Sequence, residues 1–189
     1  STGFVKAIVG GRGKKNVSLS LDRATASTRQ PGSTFKILST YAPAIDTMGY
    51  TLSTTIVDEP FSYSNGRPVE NWNHTYKGTV TVKQAIAQSM NVCAVKTLTA
   101  ITPQLGYDYL LNFGISTLVD NRVEKNGSVS SDIHQALALG GITDGVTNLE
   151  MTAAYASIAN TGKYIRPVFY SQVIDSNGRV LLDLSLIHI

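Results

Sequence analysis

The sequence predicts an α+β fold in which a mainly helical middle lies between β-prone ends. Two patterns carry this. From Phe35 to about Gly162, apolar residues recur at helical spacing in several runs, most of them closed by Pro or Gly. Outside that region the period drops to two: Val17, Leu19 and Leu21 alternate with polar residues, and Val168–Ile174 and Val180–Leu184 are β-prone runs around Asp175-Ser176-Asn177-Gly178, a hairpin. A chain of 189 residues that is 42% hydrophobic buries a real core, and its length suits one domain or a large part of one. The net charge is only +3 and the basic residues are scattered, so there is no nucleic-acid footprint. One cysteine, Cys93, excludes an internal disulfide and a multi-cysteine metal site. No apolar run approaches the ~18 residues that cross a bilayer, and the N-terminus lacks a charged-then-apolar signal pattern, so any targeting element is expected outside this chain.

Phe4–Val9 reads as a strand entered midway, as in a fragment, and Gly10-Gly11-Arg12-Gly13 turns it. A phosphate loop at Gly13-Lys14 is rejected, because Ile8 stands where a glycine is required and Lys15 where Ser or Thr is required. Arg29-Gln30-Pro31-Gly32 then runs into an amphipathic helix whose expected buried stripe is Phe35, Leu38, Ala42 and Ile45, with Pro43 kinking or ending it. Tyr50–Lys77, rich in Pro, Asn and Gly, is a long ordered loop; Trp72 either packs it onto the body or lines a cleft, and His74 reads as a loop histidine bonding to backbone. Thr81-Val82-Lys83-Gln84 is a capping box, and a second helical run follows from Val92 to Ile101. Helical spacing returns over Tyr107–Phe113, ending at Gly114. Asp120–Asp132 reads as a polar loop, and Ile133–Leu139 as a helix stopped by Gly140-Gly141. Thr147–Glu150 caps the last helix, which ends near Gly162. Residues 185–189 are an apolar run without a cap and read as a tail foreign to the natural protein.

The chemistry concentrates at the mouth of the first helix. Ser33 opens it, so its hydroxyl lies near the positive end of the helix dipole, and Lys36 projects from the same face three residues on. A desolvated lysine loses its proton readily and can activate a serine for acyl transfer; the plain alternative is a serine cap followed by a solvated lysine. Context bears on the choice. Of nine lysines only Lys36 has a serine three places before it, and of eleven asparagines only Asn91 has one, Ser89, two places before it. Ser89 and Asn91 stand at a junction between two helical runs, where short polar side chains can point outward. A Ser-x-x-Lys motif with a Ser-x-Asn companion belongs to the signature set of serine β-lactamases and penicillin-binding proteins.

Across almost its whole length the chain resembles the transpeptidase domain of class A penicillin-binding proteins. The resemblance includes Val5–Arg12, Ser27–Lys36, Ser89-Met90-Asn91, Thr152–Ala156 and Ala159-Asn160-Thr161-Gly162. It implies a β-lactamase/DD-transpeptidase-like fold, an antiparallel sheet with a helical subdomain and an active site at their seam. Residues 1–184 are then a partial domain of that kind. By the same resemblance Ser33 is the nucleophile on the D-Ala-D-Ala carbonyl of a peptidoglycan stem peptide, Lys36 its base, Ser89 the proton shuttle to the leaving D-Ala, and Asn91 the residue holding the substrate amide. Trp72 is a further candidate for substrate contact. No metal or cofactor is implied. The partners are stem peptides and β-lactams, in a parent protein anchored at the extracytoplasmic face of a bacterial membrane with a glycosyltransferase domain upstream.

One departure stands out: the family's third motif, Lys-Thr-Gly, is nowhere in this sequence, and Thr161-Gly162-Lys163 has the wrong order. In the family that motif lies on a sheet strand C-terminal to the region covered here. The expectation is therefore a fragment lacking the C-terminal sheet strands, with the carboxylate anchor and one oxyanion donor missing, and inactive alone. Two alternatives are a serine β-lactamase, for which Glu124 and Glu150 lack the Glu-x-x-Leu-Asn context, and a non-catalytic penicillin-sensing module.

Overall fold

The computed structural model describes residues 2–14 and 16–184, so the expected tail at residues 185–189 lies outside the described residues. Thr28–Val146 forms one compact unit, and the described residues up to Ser27 together with those from Thr147 on form another.

The first unit is built around a helix that is buried over most of its surface. In α3 (Asn91–Ile101), Val92, Cys93, Ala94, Val95, Thr97, Leu98 and Ile101 are all buried. Four consecutive buried residues span more than one face of a helix, so α3 needs cover on every side but that of Lys96, Thr99 and Ala100. It receives it from the helical stretch after Ser33, from α4 (Pro103–Asn112) and from a 3₁₀ turn at Gln135–Leu139. Phe35, Leu38, Tyr41, Leu98, Leu110 and Leu137 are nearly inaccessible to solvent and form this core. The Thr81 capping box forms as expected, with the Gln84 amide on Thr81 Oγ1 at 3.2 Å and the Thr81 amide on Gln84 Oε1 at 2.8 Å, and opens α2 (Val82–Ala87). Helix α4 starts four residues earlier than the apolar period suggested. Thr102 caps it, Oγ1 accepting from the Leu105 amide at 3.3 Å, and Pro103 takes the first position, where its missing N–H costs nothing.

The helix after Ser33 departs from the expected stripe. One 3₁₀ turn, Gly32–Thr34, passes into a π-wound stretch, Lys36–Tyr41, and only then into α1 (Ala42–Thr47). Pro43 sits in the first turn of α1, and the helix ends four residues beyond it, at Thr47. Having no N–H to give the Ser39 carbonyl, Pro43 follows a stretch in which the Ala42 amide bonds the Ile37 carbonyl five residues back. The wider turn rotates everything beyond it, so the buried face runs through Phe35, Leu38, Tyr41 and Ala44, while Ile45 is exposed.

Two expected loops contain ladders. In Tyr50–Lys77, Phe61–Ser62 pairs antiparallel with Pro68–Val69, and Thr55–Asp58 pairs antiparallel with Gly78–Thr81 just beyond the segment. Arg122–Val123 pairs with Val129–Ser130 across the Asn126-Gly127 turn. These strands are two to four residues long, too short for period-two patterning to stand out.

In the second unit α5 (Asn148–Ala159) begins at the Thr147–Glu150 capping box, and the Leu149 amide bonds the Ala24 carbonyl at 3.0 Å. The tail hairpin forms as Gln172–Ile174 against Val180–Asp183. The expected N-terminal strands do not: Phe4 makes a single bridge to Val168, and Val17, Leu19 and Leu21 are exposed. Alternation marks a segment able to lie on a sheet but supplies no partner strand, and a strand exists only by pairing.

Candidate active site

The turn carrying Ser33 is held from below by a loop more than a hundred residues away. The Gln30 side chain clasps Ile142 through both amide groups, Nε2 to the carbonyl at 2.6 Å and Oε1 from the N–H at 3.1 Å. Gly140, with φ +71°, lies so close under Gly32 that a Cβ there would fall 2.4 Å from the Gly32 carbonyl oxygen, so only glycine fits. Above this contact Ser33 is exposed, and among the described residues its hydroxyl has no hydrogen bond. It does not cap the helix: Pro31 holds the capping position, and there is no side-chain cap bond.

Lys36 is the reverse. It is 3% exposed, and its ammonium donates to the Ser89 carbonyl oxygen at 2.6 Å, to Ser89 Oγ at 3.0 Å and to Asn91 Oδ1 at 2.6 Å. Lysine has three donors, and all three are used. Burial, which penalises the charged form, lowers its pKa from 10.5 to about 8; the neighbouring Cys93 thiol works weakly the other way. The thiol itself is pushed up to about 12, chiefly by its own burial.

Ser89 owes its position to the end of α2. Its amide bonds the Ile86 carbonyl at 3.0 Å, and the Met90 amide bonds the Ala85 carbonyl at 2.9 Å. This double closure requires a left-handed residue, and Ser89, at φ +52°, takes the place usually given to glycine. The strained conformation turns both its carbonyl and its hydroxyl toward Lys36. Met90 is buried beneath, and Asn91 starts α3, with Oδ1 on Lys36 and Nδ2 on the Glu70 carbonyl at 2.8 Å.

The structure therefore brings Lys36, Ser89 and Asn91 into one bonded cluster, with Ser33 one helical turn from Lys36. Trp72 is outside the cluster. The residue is 74% exposed and lines, with Asn71, Asn73, Met90 and Ser89, a cavity of about 320 Å³. His74 bonds to backbone through its own amide, on the Asn71 carbonyl at 3.0 Å, and its ring Nδ1 lies 3.0 Å from the Glu70 carboxylate, four residues before it. Among the described residues no group of His, Cys, Asp and Glu side chains is placed to hold a metal ion. Sequence reasoning passed over Asn71, the buried neighbour of Trp72, whose side chain bonds the first amides of α3. Nothing in the order Asn71-Trp72-Asn73 separates the buried asparagine from the exposed one.

A buried lysine bonded to a Ser-x-Asn turn, one helical turn from an exposed serine, is the arrangement expected of a Ser-x-x-Lys motif with a Ser-x-Asn companion. The chain belongs to the penicillin-binding protein transpeptidase domain family, whose model matches residues 1–185. Among curated relatives it is similar to penicillin-binding protein 1A of Clostridium tetani, 34% identical over 189 residues, covering 96% of this chain and 23% of that protein. It is likewise similar to penicillin-binding protein 1F of Bacillus subtilis, 37% identical over 182 residues with the same coverages. Such relatives bear out the class A resemblance, and the chain spans less than a quarter of their length. Among solved structures, penicillin-binding protein 1A of Haemophilus influenzae superposes with a TM-score of 0.69 at 28% identity, covering 86% of this chain and 23% of that one. PonA1 of Mycobacterium tuberculosis, in complex with penicillin V, superposes at 0.74 over 88% of this chain and 44% of that one; at 24% identity it speaks for the fold alone.

Proposed function

We propose that these residues serve a peptidoglycan DD-transpeptidase that works through an acyl-serine and is captured by penicillin. The observation that carries the reading is Lys36: a buried amine near neutrality, held by Ser89 and Asn91 and one turn from a free serine hydroxyl. In this reading Ser33 Oγ attacks the carbonyl carbon between the two D-Ala residues of a stem peptide, and neutral Lys36 takes its proton. The peptide C–N bond breaks, and the departing D-Ala amine receives that proton by way of Ser89 Oγ, which is within 3.0 Å of Lys36 Nζ. The amine of a second stem peptide then attacks the ester, and Ser33 recovers its proton. Asn91 Nδ2 and the exposed face of Trp72 are offered to the peptide. Residues 1–184 are read as part of one transpeptidase domain, within a parent protein anchored at the extracytoplasmic face of a bacterial membrane and bearing a glycosyltransferase domain. In this chain itself, no described helix is long and apolar enough to cross a membrane.

A β-lactamase needs a glutamate to activate the deacylating water. The two glutamates after Asn91 are both engaged elsewhere, Glu124 with Arg122 and Ser130, and Glu150 in the Thr147 capping box. The test is mass spectrometry of the penicillin adduct on the gene product that contains these residues. The adduct is expected on the peptide containing Ser33 and is absent from Ser33→Ala; since the hydroxyl makes no bond, that variant keeps the wild-type melting temperature. An adduct that persists in Ser33→Ala contradicts the assignment.

A further inference from the structure

Helix α3 delivers Asn91 to Lys36, yet nothing local holds its first turn. Met90, at the capping position, bonds no backbone amide of the helix through its side chain, its Sδ accepting only from the Cys93 thiol at 3.9 Å, and no acidic residue lies in the first turn. The missing acceptor comes from the loop twenty residues earlier. Asn71 Oδ1 accepts from the amides of Asn91 at 2.9 Å and Val92 at 3.3 Å. Its other end donates, Nδ2 to Asp58 Oδ1 at 2.8 Å and to the Thr75 carbonyl at 3.0 Å. An asparagine side chain has two donors and two acceptor positions, and here all four are used. Its orientation is forced, because a carboxylate can only accept and the helix amides can only donate. Asp58 is 1% exposed and is held in turn by the Lys77 amide on Oδ2 at 2.9 Å. Asn71 is 4% exposed. No cation bonds this carboxylate among the described residues, and so buried an anion is tolerated only where its partners are fixed.

We propose that Asn71 is a positioning residue for the Lys36 base: clamped by Asp58, it caps α3 and so fixes Asn91 Oδ1 2.6 Å from Lys36 Nζ. The inference rests on the acyl-serine reading above. It adds a second layer to the site, in which a buried carboxylate in the strand Thr55–Asp58 sets the start of the helix that carries Asn91. A cap that merely stabilised α3 would leave the chemistry of the folded protein unchanged. A positioning cap would not, because displacing a reacting group by about 1 Å costs up to ~10²-fold in rate.

The test is the rate constant for labelling by fluorescent penicillin under single turnover, in the gene product that contains these residues. Absence of labelling at Ser33 in the wild type would defeat the acyl-serine reading itself; the variants judge the inference. Asn71→Ala is expected to label the folded protein ~10²-fold more slowly, whereas Leu110→Ala, a core truncation on α4 that also lowers the melting temperature, labels at the wild-type rate. Asn71→Asp keeps the acceptor for the two amides but sets a second carboxylate against Asp58, and is also slow. Combining it with Asp58→Asn exchanges donor and acceptor and recovers at least ~10-fold of the loss, part of the same ~10². This exchange decides the matter should Asn71→Ala not fold. Labelling of folded Asn71→Ala within twofold of wild type, or an exchange variant no faster than Asn71→Asp, overturns the proposal.

Discussion

The sharpest prediction concerns the pH dependence of acylation, because Lys36 must be neutral to take a proton from Ser33. An ordinary lysine, with a pKa of 10.5, is about 3 in 10⁴ neutral at pH 7; with a pKa of about 8, about a tenth of Lys36 is neutral, so burial enlarges the active population ~300-fold. The single-turnover rate of penicillin labelling is expected to rise about tenfold per pH unit below pH 8 and to level off near pH 9, roughly a 90-fold span from pH 6. Lys36→Arg, whose guanidinium does not lose its proton, is inert at every pH. The same shift enters stability with a definite sign. Folding lowers the pKa, so the unfolded chain holds the proton more tightly: the penalty is complete below about pH 8 and is relieved as pH rises toward 10.5. The wild type therefore gains stability relative to Lys36→Met across that window. A rate flat from pH 6 to 9, or one still climbing tenfold per unit at pH 10, would refute the assignment of Lys36 as the base.

Three further outcomes follow from particular contacts. Ser89→Gly relieves a left-handed residue worth about 1 kcal/mol and keeps the melting temperature at or above that of wild type, yet it removes Oγ from Lys36 and is expected to slow turnover of D-Ala-D-Ala peptides; wild-type turnover would rule out a proton relay through Ser89. The penicilloyl adduct should persist for many minutes, since neither Glu124 nor Glu150 is free to activate water, and rapid nitrocefin hydrolysis would contradict that. The 189-residue chain by itself contains no Lys-Thr-Gly, so its labelling should be ~10²–10³-fold slower than that of a longer stretch of its natural frame, the usual cost of one lost oxyanion donor. Equal labelling of the two would show the third motif to be dispensable.

What the sequence determined by itself were features carried by residues close together along the chain. The capping boxes at Thr81 and Thr147, the Asp175–Gly178 hairpin, the buried run from Val92 and the spacing of Ser33 to Lys36 and of Ser89 to Asn91 were all legible, because each is settled within a turn or two of backbone. Tertiary structure decided what depends on partners far away. Whether Lys36 was a solvated lysine or a buried one turned on the packing around it and on Ser89 and Asn91, more than fifty residues on. The π-winding that moved the buried stripe from Ile45 to Tyr41 and Ala44 appeared only with the packed helix. The N-terminal strands went unformed because alternation cannot supply the chain they would pair with. Asn71 looked like any loop asparagine beside a conspicuous tryptophan. Its weight comes from Asp58 on one side and the open amides of α3 on the other, and a side chain's burial and bonding are properties of what folding brings to it.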